Sequence, residues 1–159
     1  NIKNLLTIII PRHINRSKDI VNKLEQENLK TILRSSNKKI SKDDDIYLVD
    51  SYGEVLKFFA FSKVSFLGGS LINHGGHNPL EPARLGNHIL FGPHVHNFSE
   101  VYQNMQNLNI ASKINSEKKA YRIILQKVKT YKSKNIIKKI NIIGETNLNN
   151  NLKEIYKFI

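Results

Sequence analysis

Short apolar runs rich in Ile, Val and Phe alternate along the chain with segments whose apolar residues recur at three- and four-residue spacing. That alternation predicts βα units stacked into a mostly parallel sheet, an α/β fold of Rossmann-like type. The candidate strands are residues 5–10, 29–33, 46–49, 64–67 and 88–91. Ile20, Val21 and Leu24 mark one helical stripe, Val55, Leu56, Phe58 and Phe59 mark a second, and another helix starts at Pro79. Ala120, Ile124, Leu125, Val128 and Tyr131 predict a charged amphipathic helix over 117–133. Gly144 reads as a break in the helical pattern, followed by a last short helix over 152–159. The apolar run of the first ten residues leads into Pro11-Arg12-His13 and not into a small-residue cleavage site, so it reads as a buried strand. The polar stretch 35–45, with Lys38, Lys39, Lys42 and three successive Asp residues, is expected to be a mobile loop.

In open α/β sheets, ligands bind in the crevice beyond the carboxyl ends of the strands. Each unusual cluster in this sequence follows a candidate strand: Pro11-Arg12-His13, Asp50-Ser51-Tyr52-Gly53-Glu54, the run from Gly68 to Glu81, and Gly92-Pro93-His94. The third is the most distinctive. Gly68, Gly69, Gly75 and Gly76 in a strand-to-helix turn let backbone N–H groups approach an anion, beside the positive end of the helix starting at Pro79. Gly69, Ser70, Gly75, Gly76 and His77 are therefore candidate contacts to a phosphate or sugar. Asn78-Pro79-Leu80-Glu81 admits two readings, as helix-capping grammar or as ligands, in which Glu81 holds vicinal ribose hydroxyls and Asn78 orients phosphate or base. Ser51 and Glu54 have capping-box spacing as well, while Gly53 and the helix N-terminus behind it also stand where a nucleotide base or phosphate would be met. Arg12 is either a surface cation or a bidentate anion clamp. Arg84, one turn into its helix, poses the same choice.

Composition narrows these readings. The 159 residues fit one domain of ordinary size, and 40% hydrophobic content excludes wholesale disorder. There is no Cys, so disulfides and thiolate metal sites are excluded. His74 and His77, and His94 and His96, form spaced pairs without a third compatible ligand beyond Glu81, so no metal is expected. No nucleophile–base–acid constellation and no spaced carboxylate pair is present, and no catalytic residue is assigned within the chain. Of the net charge of +12, eleven Lys and one Arg against Glu117, Glu145 and Glu154 place +9 in residues 113–159. Such a tail is either a solvated helix face or a contact for nucleic acid, anionic lipid or an acidic glycolipid.

The run Gly75-Gly76-His77-Asn78-Pro79-Leu80-Glu81-Pro82-Ala83, with Leu85-Gly86, Leu90-Phe91-Gly92-Pro93-His94 and Asn97-Phe98, resembles the signature region of bacterial lipid A Kdo (3-deoxy-D-manno-octulosonic acid) transferases. Pro11-Arg12-His13 and Gly53-Glu54 fall in the order expected of that family, and the resemblance covers about positions 5 to 108. It implies the C-terminal half of a two-lobed GT-B glycosyltransferase: residues 1–112 as a CMP-sugar-binding Rossmann-like domain, 113–159 as a basic helical segment packed on it, and an N-terminal acceptor lobe outside this chain. The implied partners are CMP-Kdo, bound through Pro11, Arg12, Tyr52, Gly53, Glu54, Asn78, Pro79, Leu80 and Glu81, and a lipid A precursor held by the missing lobe. The resemblance also implies no cofactor, a catalytic carboxylate in the other lobe, and a peripheral location on the cytoplasmic face of the bacterial inner membrane. Two other readings stay open. A nucleotide-sugar epimerase has a similar Gly-rich, Glu-bearing lobe, and a nucleotide- or nucleic-acid-binding module would be driven by the basic tail, against which the sparseness of interleaved aromatics argues.

Overall fold

A computed structural model describes residues 5–157, in two compact units, Asn1–Phe58 and Phe59–Ile159. In the first unit, β1 (Thr7–Ile9), α1 (Ser17–Gln26), β2 (Thr31–Leu33) and β3 (Ile46–Leu48) precede α2 (Val55–Phe61). The strands form a parallel sheet in the order β1-β3-β2, so β3 is central and Tyr47 aligns with both Ile8 and Ile32. A strand paired on both sides can be apolar on both faces. Accordingly Ile46, Tyr47, Leu48 and Val49 are all buried, and Tyr47 lies 5.8 Å from the ring of Phe58. The expectation of a buried first strand over 5–10 is corrected in part. β1 is shorter, lies at one edge of the sheet among the described residues, and is only half-covered, with Leu5 43% exposed. Residues 1–4 lie outside the described chain.

The second unit contains β4 (Val64–Phe66), α3 (Leu80–Arg84), β5 (His88–Phe91), α4 (Ser99–Asn107), β6 (Ala111–Lys113), α5 (Glu117–Thr130) and α6 (Ser133–Ile155). Its sheet is again parallel, in the order β4-β5-β6. The central strand supplies Ile89 and Phe91 to a core that includes Ala83, Tyr102, Met105, Ile110 and Ile140. Buried polar groups are paired: Asn87 accepts from Ser65 Oγ at 2.6 Å and donates to the Phe59 carbonyl at 2.7 Å. Leaving such groups unpaired would cost about 1–3 kcal/mol each.

Two elements here have no counterpart in the sequence expectations, α4 and β6, and one expectation is overturned. Gly144 does not break the helix: α6 continues through it for 23 residues, and 152–155 are its last turn instead of a separate helix. Ile136, Ile140 and Ile143 form an apolar stripe at helical spacing against the core, and that packing carries the helix past the glycine. A β-carbon at Gly144 would meet nothing within 4 Å. Gly144→Ala is therefore expected to raise stability by about 0.5–1 kcal/mol, because alanine orders at lower entropic cost in a helix interior. A chemical denaturation midpoint shifted upward at unchanged slope checks this.

Candidate functional site

Parallel pairing brings the carboxyl ends of β1, β3 and β2 to one edge of the first sheet. Pro11-Arg12-His13 leaves β1 there, Asp50 to Glu54 leaves β3, and Arg34, Ser35 and Ser36 leave β2 in a 3-10 turn. Arg34 grips Glu54 with two nitrogens, Nε to Oε2 at 3.1 Å and Nη2 to Oε1 at 3.2 Å. Ser51 Oγ donates to Glu54 Oε2 at 2.6 Å. These bonds, Ser51's first and then Arg34's, push the Glu54 carboxyl down to about 2. Ser35 grips Asp50 in the same manner, through its N–H at 2.8 Å and its hydroxyl at 2.5 Å.

The capping-box reading of Ser51 and Glu54 is thus corrected. The serine hydroxyl serves the carboxylate and not a helix N–H, and Glu54 is held by a cation from another strand end. The sequence gives no local sign of this pair, because twenty residues separate its members; the one available signal is that Arg34 directly follows a candidate strand. Gly53 sits at φ +81°, with Tyr52 beside it 70% exposed, so the loop tip is open. Arg12 and His13 are exposed, and their side chains make no hydrogen bond or ion pair with a described residue.

In the second unit the loops after β4 and β5 are sewn together at Ser70. Its hydroxyl donates to the Leu67 carbonyl at 2.6 Å and accepts from Gly92 N–H at 2.9 Å, and its carbonyl accepts from His94 N–H at 2.9 Å. Ser70 is fully buried, so its side chain is committed to this junction. Gly69, Gly75 and Gly76 all have φ between +69° and +81°. At Gly75, where φ is +81°, a β-carbon would also meet the Asn97 side chain, which would have to turn aside. The His77 ring lies over Gly69, and the His77 carbonyl accepts from Tyr102 OH at 2.8 Å. Tyr102, on α4, is buried against Phe91 with ring centroids 4.3 Å apart. It anchors the glycine-rich loop from below, and the sequence offers no motif that marks it.

Asn78 Oδ1 accepts from Leu80 N–H at 3.0 Å, but the helix that follows is only five residues long and its N-cap position falls to Pro79, so Asn78 stands one residue ahead of the expected N-cap. Asn78 and Glu81 are exposed, Pro79 is buried and Leu80 is half-buried. Arg84 is exposed as well. Among the described residues no three His, Asp or Glu side chains are grouped so as to hold a metal ion, and no helix is long and apolar enough to cross a membrane.

No protein-family model matches the chain. A 3-deoxy-D-manno-octulosonic acid transferase of Haemophilus influenzae is 35% identical over 71% of this chain and 26% of its own length. The enzyme of that description from Rickettsia typhi is 40% identical over 67% of this chain and 23% of its own. A bifunctional glycosyltransferase/methyltransferase of Fusobacterium nucleatum is 28% identical over 96% of this chain and 26% of its own. The chain thus spans about a quarter of the length of these relatives. Among solved structures, the C-terminal CMP-Kdo binding domain of WaaA from Acinetobacter baumannii superposes with a TM-score of 0.79 at 29% identity, covering 87% of this chain and 73% of that one.

Parallel βα units carrying glycine-rich loops at their carboxyl edges, matched at that level, define the chain as a C-terminal, Rossmann-like lobe of the GT-B glycosyltransferase class. More particularly, it is the counterpart of the C-terminal lobe of the Kdo transferases.

Proposed function

We propose that this chain is the donor-binding part of a glycosyltransferase that transfers Kdo from CMP-Kdo to a lipid A precursor, on the cytoplasmic face of the bacterial inner membrane. The likeness to the CMP-Kdo binding domain of WaaA, spanning 87% of the chain, carries this reading. Each unit has its own part. In the first, Pro11 and Arg12 leave the end of β1, and the free guanidinium of Arg12 makes a charge-assisted contact to the CMP phosphate. Tyr52, Gly53 and Glu54 contact CMP from the loop after β3, with Arg34 and Ser51 as positioning residues that keep the Glu54 carboxylate ionised and aimed. In the second, Asn78, Pro79, Leu80 and Glu81 contact CMP, Glu81 accepting from the ribose hydroxyls. Gly69, Gly75, Gly76 and His77 contribute backbone and ring contacts to the phosphate or Kdo, and Ser70 holds their loop in place.

The chemistry supplied by such a lobe is electrostatic. As the bond between CMP and the Kdo anomeric carbon breaks, negative charge grows on the departing phosphate, and Arg12 with oriented backbone N–H groups stabilises it more than the ground state. Deprotonation of the acceptor hydroxyl belongs to a carboxylate outside this chain, as does the lipid A precursor site. These residues by themselves are expected to bind CMP or CMP-Kdo weakly and to transfer nothing.

Calorimetric titration of CMP, with UMP and AMP as controls, tests the reading. Saturable binding that prefers CMP is expected, weakened at least tenfold by Arg12→Ala or Glu81→Ala, since a charged hydrogen bond is worth about 1.5–3 kcal/mol. Equal affinity for the three nucleotides, or indifference to both substitutions, would sink it.

A further inference from the structure

The glycine-rich loops occupy the carboxyl edge of β4 and β5. At the opposite end of that sheet, where His88 opens β5, the second unit has an open pocket of about 160 Å³. That is well beyond the roughly 10–15 Å³ that one water requires. Its walls come from the start of β5, the turn after α4 at Asn109, and the junction of α5 with α6, and they carry Lys127, Lys132 and Lys139. None of the lining residues is acidic.

The lysines are placed by the fold. Lys139 Nζ donates at 2.6 Å to the carbonyl of Leu108, the C-cap residue of α4, where the negative end of the helix draws a cation. Lys127, on the inward side of α5, is half-buried, and its ammonium makes no hydrogen bond or ion pair with a described residue. Its burial, and then the nearby charge of Lys139, push its ammonium below the ordinary lysine range. Asn109, Thr130, Tyr131 and Asn135 complete the walls with neutral polar groups. Lys127 and Lys139, both half-buried, and the exposed Lys132 line one pocket that carries no acidic side chain, and the charge of Lys139 acts against that of Lys127. An anion with several acceptor oxygens offsets that repulsion and gives the Lys127 ammonium a partner.

We propose that this cavity is a binding site for a phosphate group, separate from the donor site, formed by Lys127, Lys132 and Lys139 with Tyr131 and Asn135 at the α5–α6 junction. The phosphate is either free or the headgroup of an anionic phospholipid. The test uses the full chain at constant ionic strength. Inorganic phosphate is titrated by calorimetry and thermal shift, and sedimentation is measured with phosphatidylcholine vesicles with and without phosphatidylglycerol. The variant Lys127→Gln/Lys132→Gln is compared with Lys118→Gln/Lys153→Gln, which removes the same charge from positions outside the pocket. Saturable phosphate binding that raises the wild-type melting temperature, and that is at least tenfold weaker in the cavity variant alone, supports a free-phosphate site. Binding seen only with phosphatidylglycerol vesicles, and lost only in the cavity variant, supports a headgroup site. Equal losses in both variants, or no binding to either probe, overturns the proposal. CMP affinity is expected to be unchanged in the cavity variant, which separates this site from the donor reading.

Discussion

Gly92→Ala is expected to destabilise the second unit by about 3 kcal/mol, seen as a fall of roughly 10 °C in its thermal midpoint. The cause is steric, since Gly92 does not have a positive φ. A β-carbon there would collide with the Ser70 carbonyl oxygen, and would lie 2.6 Å from Ser70 C and 2.8 Å from Leu71 N. These are backbone atoms, with no flexible tip to turn aside. To admit the methyl group, the loops after β4 and β5 must part, which strains the three hydrogen bonds centred on Ser70. Because the same loop continues into Gly75, Gly76 and His77, CMP affinity should fall in the folded remainder as well. Gly53→Ala is the informative comparison. Its β-carbon meets nothing within 4 Å, but its φ of +81° costs a non-glycine residue only about 1–2 kcal/mol. Equal effects of the two substitutions would show that close approach at Ser70 is not what requires glycine at position 92.

What the sequence makes legible is what local pattern can carry. β3 and β5 stand out as Ile46 to Val49 and His88 to Phe91, because a central parallel strand is apolar on both faces. β6 cannot be read this way: Ala111-Ser112-Lys113 has no strand signal and becomes one by pairing with Phe91 and its neighbours. α4 is masked because its buried Tyr102 and Met105 are spaced among Gln and Asn. Within the site, the clusters at the strand ends are visible in order, and Asn78 bonds the Leu80 N–H although the helix starts one residue later than its spacing implies. The supporting contacts are not visible. Arg34 reaches Glu54, Tyr102 reaches His77 and Ser70 reaches Gly92 across twenty or more residues, and no short-range periodicity encodes such pairs. Gly144 shows the converse failure, a strong local breaker overruled by the tertiary packing of Ile136 and Ile140.

Acidification from pH 6.5 to about 4 should remove roughly 3 kcal/mol of stability through His88 alone, and His88→Gln should abolish that loss. His88 is 2% exposed, with Nε2 2.9 Å from Ser112 Oγ. Burial, and then the charge of Lys127, push its imidazole down from 6.5 to about 4. In the unfolded chain the ring recovers its ordinary value. As the pH falls through 6.5 the unfolded state takes up a proton that the folded state refuses, so stability declines until the folded ring also protonates near 4, and then levels off. Glu54 acts in a lower window. Its carboxyl titrates at about 2 when folded against 4.5 ordinarily, so its contribution is full above 4.5 and is lost as the pH falls toward 2. The two limbs are separable by denaturant titration at stepped pH. His88→Gln should flatten the upper limb and leave the lower, while Arg34→Ala, which removes a partner of Glu54, should shrink the lower limb only. An upper limb of unchanged slope in His88→Gln would assign the acid sensitivity to another group. Phosphate in the lysine cavity should shrink that limb in the wild type, because an anion beside Lys127 offsets the charge that helps keep His88 neutral.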